Sequence, residues 1–152
     1  LAKMKFQVIG KNCKISNLAS FIGIKNITIL DNVRIDDFAL LVAKNGYIKI
    51  GKNTHVGGLT YMQGWSGIEI GSNCNISQGV KIYSKSDNYK SLKKMQTKKK
   101  TKISNNVILG SGSVILPGSI IERNCRIGAL TIVNKKVKQN HLYFGNKLKK
   151  IT

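Results

Sequence analysis

Proline occurs once in these 152 residues, at Pro117, which excludes collagen-like and proline-rich linker chains despite the 15 glycines. No apolar run of about 18 residues is present, so no segment is suited to cross a bilayer as a helix. The opening stretch, LAKMKFQVIGKN, lacks the apolar centre and small-residue cleavage site of a signal peptide, and a cytoplasmic location is expected. Histidine is confined to His55 and His141, and the acids number six. With two distant histidines and no Asp/Glu cluster, no metal site is expected. Helix formers fall into no helical pattern except near the ends. Arginine is limited to Arg34, Arg123 and Arg126 among 26 basic residues. Readout of base edges leans on arginine forks, so a sequence-specific nucleic-acid binder is poorly supported.

What is abundant is lysine. The formal charge is +20, which suits anionic partners: nucleic acid, acidic lipid or phosphorylated small molecules. The wealth of Lys, Ile and Asn also reads as compositional bias, with functional charge superimposed in places. An apolar fraction of 41% is that of a chain able to bury a core.

The apolar residues recur every six positions. One run is Ile9, Ile15, Phe21, Ile27, Val33 and Ala39. Others are Ile70, Ile76 and Ile82, and Ile103, Leu109, Ile115, Ile121, Ile127 and Val133, with Ile50 and Val56 as a shorter pair. Neither the helical nor the simple strand period gives this. A six-residue period means one strand and one corner per repeat, three of which close a triangular coil of about 18 residues. Gly follows the apolar residue at Gly10, Gly51, Gly71, Gly110 and Gly128. Asn stands three residues before it at Asn12, Asn53, Asn73, Asn106 and Asn124. Both residue types accept the positive φ of tight corners. Cys13, Cys74 and Cys125 each stand two residues before the apolar position, in a slot otherwise filled by small residues, and read as core fillers. Their odd number and wide spacing match no metal motif, and unpaired thiols fit a reducing compartment.

The hexads predict an all-β solenoid forming one domain over 1–152, with the regular coil at roughly 5–138. The pattern lapses over 84–102, a Lys-rich stretch expected to be a loop extruded from one corner, and a loop so long is usually functional or disordered. It also slips near Lys44-Asn45-Gly46 and between Val56 and Ile70. The tail, 139–152, is a candidate cap for the exposed strand edges of the last coil. Flat outer faces would suit threefold packing of such prisms.

These residues resemble the hexapeptide-repeat acyltransferases, left-handed parallel β-helix enzymes, over nearly the whole chain. Three segments resemble the sugar O-acetyltransferases of surface-polysaccharide clusters. Thr54-His55-Val56-Gly57-Gly58, followed by Gly64-Trp65-Ser66-Gly67-Ile68, resembles that branch's His-Ile-Ala-Ala segment and Gly-rich turn. Ile82-Tyr83-Ser84-Lys85-Ser86-Asp87-Asn88-Tyr89 resembles the start of its loop. Ile108 to Gly118, Gly128 to Lys135 and Tyr143 to Ile151 resemble its acetyl-CoA-binding coils and closing tail. The left hand of the coil and a homotrimer are what the resemblance implies.

Acyl transfer from a thioester needs a base for the attacking group and a donor for the oxyanion. His55 precedes inward Val56, so alternation sends it outward, and with the resemblance it is the expected base. Asp87 is a candidate for orienting the imidazole or binding a sugar hydroxyl, and Lys85 and Tyr89 for holding the acceptor. Other members of the superfamily carry their catalytic histidine near the position of Lys85, whose normal pKa of about 10.4 makes it a poor base. For the donor, the resemblance places Ser111, Ala129 and Lys135 where family members line the pantetheine arm or meet the coenzyme phosphates, with Asn134 in place of a Thr there. It places Lys149 and Lys150 near the 3′-phosphate end. A backbone N–H is the expected oxyanion donor.

The resulting expectation is an enzyme that moves acetyl from acetyl-CoA to a sugar hydroxyl in polysaccharide or lipopolysaccharide synthesis, with a sugar, nucleotide-sugar or glycolipid acceptor. Two alternatives stand beside it. One is N-acetylation of an amino-sugar nucleotide. The other is an inactive basic solenoid that holds polyanions, against which the few arginines and scattered aromatics weigh.

Overall fold

The computed structural model describes residues 5–87, 96–145 and 147–150, with residues 96, 97 and 147–150 described by their backbone alone. Tyr89, with Lys90, Lys93 and Lys94 of the Lys-rich stretch, lies outside the described residues. Strands of two to four residues alternate with turns, and one short 3-10 turn, Ile24–Asn26, is the sole helical element among them. The strands stack into three sheets of seven, eight and six, parallel except for the last pair of the second sheet, and these sheets are the walls of a left-handed β-helix.

Each wall contributes one inward column. The first face carries Ile9, Ile29, Ile50, Ile70, Ile103, Ile121 and Val137 in register. The second carries Ile15, Ile35, Val56, Ile76, Leu109, Ile127 and Tyr143. The third carries Phe21, Leu41, Met62, Ile82, Ile115 and Val133. From the second coil onward these side chains are buried, each contributing about 1.5–3 kcal/mol for a large aliphatic removed from water. A second inner layer, two residues earlier, holds small or medium groups such as Val33, Ala39, Thr54, Cys74, Val80, Val107 and Cys125.

Asparagine makes the corner between the first and second faces. Asn12, Asn32, Asn53, Asn73, Asn106, Asn124 and Asn140 all take φ of 54–58° or 59°. The side-chain amides stack as a ladder, Asn32 to Asn53 at 3.0 Å and Asn53 to Asn73 at 3.1 Å. Asn106 reaches Asn124 at 3.2 Å, and Asn124 reaches Asn140 at 3.0 Å. The glycines after the inward residues let coils stack: a Cβ on Gly110 would lie 2.5 Å from the backbone nitrogen of Ala129.

The structure shifts the register of the hexads in three places. Ile29, Ile35 and Leu41, not Ile27, Val33 and Ala39, continue the columns of Ile9, Ile15 and Phe21. The turn at Gly23–Asn26 lengthens that corner, so the other three fill the second inner layer. The excursion is shorter than the missing hexads suggest. Ser84 is buried, and Thr101–Ile103 is already a strand of the first face. Between them Lys85–Asp87 and Gln96–Lys98 pair antiparallel as the root of a hairpin. The coil also runs past 138: His141–Phe144 pairs in parallel with Arg126–Ile127 and buries Tyr143. Lys147–Lys150 then turns back antiparallel along the second sheet's last edge.

The three thiols are free, and each donates to a carbonyl one coil on: Cys13 to Leu30 at 3.1 Å, Cys74 to Ser104 at 3.1 Å, Cys125 to Lys138 at 3.0 Å. Burial pushes Cys74 and Cys125 above the usual thiol range, which suits inert core fillers.

Candidate active site

Two clusters of chemically competent side chains stand out, on different faces. On the second face, strand His55–Val56 turns Val56 inward and His55 outward, as alternation requires. The imidazole is partly exposed, and its Nε2 lies 2.7 Å from Oδ2 of Asp36 in the coil above. The other oxygen of Asp36 accepts from Arg34 Nε at 2.6 Å. Burial raises the Asp36 carboxyl, but hydrogen bonds and charge from His55 and Arg34 outweigh it and hold the group below the ordinary carboxylate value. Asp36 thereby fixes the imidazole's orientation and leaves Nδ1 for chemistry. An open groove of about 640 Å³ adjoins this face, lined by His55, Asn75, Arg126 and the corner asparagines.

The second cluster sits at the root of the hairpin. Ser84 braces it: its hydroxyl donates to the Gln63 carbonyl at 2.9 Å and accepts from Ser66 N–H at 2.9 Å. Thr101 Oγ1 donates to the Tyr83 carbonyl at 2.7 Å. Lys85, lifted out on the first strand of the hairpin, places its ammonium 3.8 Å from the centre of the Trp65 ring, a cation–π contact. A cavity of about 330 Å³ lies against Gln63, Tyr83, Lys85, Ser86, Asp87, Leu116 and Pro117.

Asp87 is exposed on the rim of that cavity. Asp31, Asp36, Glu69 and Glu122 are each engaged in ion pairs, and Asp37 accepts from Ser16. Among the described residues Asp87 alone has neither an ion pair nor a side-chain hydrogen bond. His55 borders the groove of the second face and Asp87 the cavity at the hairpin root, and the carboxylate beside the imidazole is Asp36.

The residues expected at the donor fall on two corners of the last coils. Ser111 and Ala129 are exposed at the corner between the second and third faces, where Leu130 N–H donates to the Ser111 carbonyl at 2.9 Å. Asn134 and Lys135 are exposed at the corner between the third and first faces. There the Lys135 ammonium lies 5.1 Å from the centre of the Tyr143 ring. Lys149 and Lys150 belong to the returning strand, opposite Leu142 and His141. Between these corners the third face presents Val114 and Ile132 outward, Ile132 half exposed. Among the described residues no group of three His, Cys, Asp or Glu could hold a metal ion.

Asp36, Arg34, Trp65 and Gln63 escape sequence reading. Asp36 stands one coil from His55, and the only signal was two acids in a row, Asp36-Asp37, in a chain short of acids.

Two family models match the chain: the bacterial transferase hexapeptide (six repeats) over residues 100–135, and the hexapeptide repeat of succinyl-transferase over residues 47–84. A dTDP-4-amino-4,6-dideoxy-D-glucose acyltransferase from Escherichia coli is 35% identical over 145 residues, which are 89% of this chain and 76% of that protein. The crystal structure of AntD, an N-acyltransferase from Bacillus cereus, in complex with dTDP and 3-hydroxybutyryl-CoA superposes with a TM-score of 0.88. It is 30% identical and covers 97% of this chain and 82% of AntD. A variant of AntD bound to dTDP-4-amino-4,6-dideoxyglucose and coenzyme A gives a TM-score of 0.89 at 29% identity, over 99% and 84% of the two chains.

Proposed function

Since this chain belongs to the hexapeptide-repeat acyltransferases, we propose that it transfers an acyl group from a coenzyme A thioester to the amine of a nucleotide-linked amino sugar. The observation that carries this reading is Asp87, an exposed carboxylate on the rim of a sugar-sized cavity, with no ion pair among the described residues of a chain of charge +20. A sugar amine is largely an ammonium in neutral water, and a lone carboxylate draws that cation where a hydroxyl gains far less. The relatives named above act on or bind an amino sugar linked to dTDP, which moves weight from the hydroxyl acceptor to the amine.

The reaction is direct. The ammonium binds Asp87 and gives one proton to solvent water. The free amine attacks the thioester carbon, and backbone N–H groups receive the charge on the carbonyl oxygen. A second proton passes from nitrogen to His55, which hands it to the sulfur as the carbon–sulfur bond breaks, so the coenzyme departs as a thiol and the imidazole returns to its neutral form. Amide and thiol are the products. Because His55 and Asp87 stand on different faces, they meet only if one subunit's second face adjoins its neighbour's hairpin, as in a homotrimer. Exposed apolar groups at the corner between the second and third faces support such packing: Leu18, Phe38, Leu59 and Leu130. Ser111 and Ala129 on that corner are proposed to hold the pantetheine arm, and Asn134 and Lys135, with Lys149 and Lys150, the phosphates.

Thiol release from acetyl-CoA tests the acceptor. Release is expected with dTDP-4-amino-4,6-dideoxyglucose and not with the 4-hydroxy sugar; release with the hydroxy sugar alone would restore O-acetylation.

A further inference from the structure

The cavity at the root of the hairpin is divided in its chemistry. Lys85, Ser86, Asp87 and the amide of Gln63 make one side; the Tyr83 ring, Leu116 and Pro117 make the other. Its volume of about 330 Å³ is at the lower end for ligand sites, room for one sugar ring with the nucleotide outside. Resting on the amine-acylation reading, we propose that it seats the pyranose of a 6-deoxy amino sugar, and that Leu116 and Pro117 are the wall that reads the methyl group.

The wall is built to stay in place. Ser119 N–H donates to the Leu116 carbonyl at 3.1 Å and the Ser119 hydroxyl donates to it at 2.7 Å, closing a tight turn. Pro117 locks its own φ at the second position of that turn. Gly118 follows with φ of 82°, the left-handed value a type II turn demands of its third residue. The chain's one proline is thus spent on stiffening this wall.

Gln63 points the same way. Along the third face the outward row runs Ile22, Val42, Gln63, Tyr83, with Leu116 next, so Gln63 is the amide in an apolar series. Its Oε1 is shielded from water and has no hydrogen-bond partner among the described residues. Gln63 itself lines the cavity, and a ring hydroxyl seated there is the kind of partner its amide oxygen lacks. The sugar's geometry then ties the two sides together. In a 4-amino-4,6-dideoxyhexopyranose the amine and the methyl group branch from neighbouring ring carbons. Anchoring the amine at Asp87 therefore sets the methyl beside the adjoining wall. A 6-hydroxyl in its place would meet Leu116 and Pro117 with no partner for its proton.

The test compares dTDP-4-amino-4,6-dideoxyglucose with dTDP-4-amino-4-deoxyglucose as acceptors for acetyl-CoA, in the wild type, Leu116→Ser and Leu116→Val. The wild type is expected to favour the 6-deoxy sugar by about 10–100-fold in kcat/KM. Leu116→Val keeps the preference, and Leu116→Ser brings the two near parity, mainly by slowing the 6-deoxy sugar. Saturation-transfer NMR without acyl-CoA supplies a readout free of turnover: the methyl protons take up the most saturation in the wild type and lose that rank in Leu116→Ser. Equal rates on both amines in the wild type, or an unchanged preference in a folded Leu116→Ser, overturns the methyl wall and leaves amine acylation standing. Acylation of hydroxy sugars with neither amine touched overturns both.

Discussion

Asp87 and His55 have different parts in the proposed reaction, and substitution separates them. Asp87 gathers a cationic acceptor, so Asp87→Asn is expected to raise KM for the amino sugar about tenfold or more, with a smaller change in kcat. His55 takes a proton in the transition state, so His55→Ala is expected to lower kcat about 10²–10⁴-fold at nearly unchanged KM. Steady-state kinetics on both variants checks the pair; a His55→Ala enzyme with full kcat removes the imidazole from the mechanism. Both residues stand out as candidates in the sequence because histidine and aspartate are so rare in it. Asp36, which holds the imidazole at 2.7 Å, does not. Its contact spans one coil, and the corner at Lys44-Asn45-Gly46 makes that coil longer than three hexads, so a strict count of six does not set Arg34 and Asp36 beside His55. Gln63 was hidden for a related reason: it is unremarkable in its own strand and conspicuous only against Val42 and Tyr83 above and below.

At the level of the repeating element, the asparagine corner was written plainly in the chain, and the corner that follows it was not. Asparagine accepts a left-handed conformation, and the coils stack its amides into a ladder. Phe38, Leu59 and Leu130 take the same conformation, with φ of 60°, 59° and 53°, although bulky side chains resist it by about 1–2 kcal/mol. Their neighbours force it: Leu59 N–H donates to the Asp37 carbonyl at 3.1 Å, and Leu130 N–H to that of Ser111. No local propensity announces such a residue, because the cause is the coil beside it. Asn53→Ala tests the first corner, since it removes hydrogen bonds to both Asn32 and Asn73 and leaves an unfavourable φ. A loss of about 1–2 kcal/mol in urea unfolding is expected, and Asn53→Gly, which relieves the backbone, recovers part of it.

For the molecule as a whole, the expected assembly is three chains. A mass near three times 16.8 kDa by light scattering is the expected outcome, and Leu59→Glu, which puts a charge on the exposed apolar corner, should lower it. Activity should fall with the assembly if His55 and Asp87 act across subunits. The coil, its three walls and the excursion were legible from the sixfold period because inward side chains repeat with the chain's own stride. Where the coil ends was not, because Tyr143 is an aromatic in a column of aliphatics, and the returning strand Lys147–Lys150 follows no hexad. The hairpin leaves the coil after Tyr83 and rejoins it by Thr101, and across that interruption Ile70 still stacks on Ile103 without loss of register. Such an insertion is mechanically silent to the walls around it. Exchanging that hairpin for another is therefore expected to leave the walls folded, and under the proposed reaction it is a part of the chain through which acceptor preference could be changed.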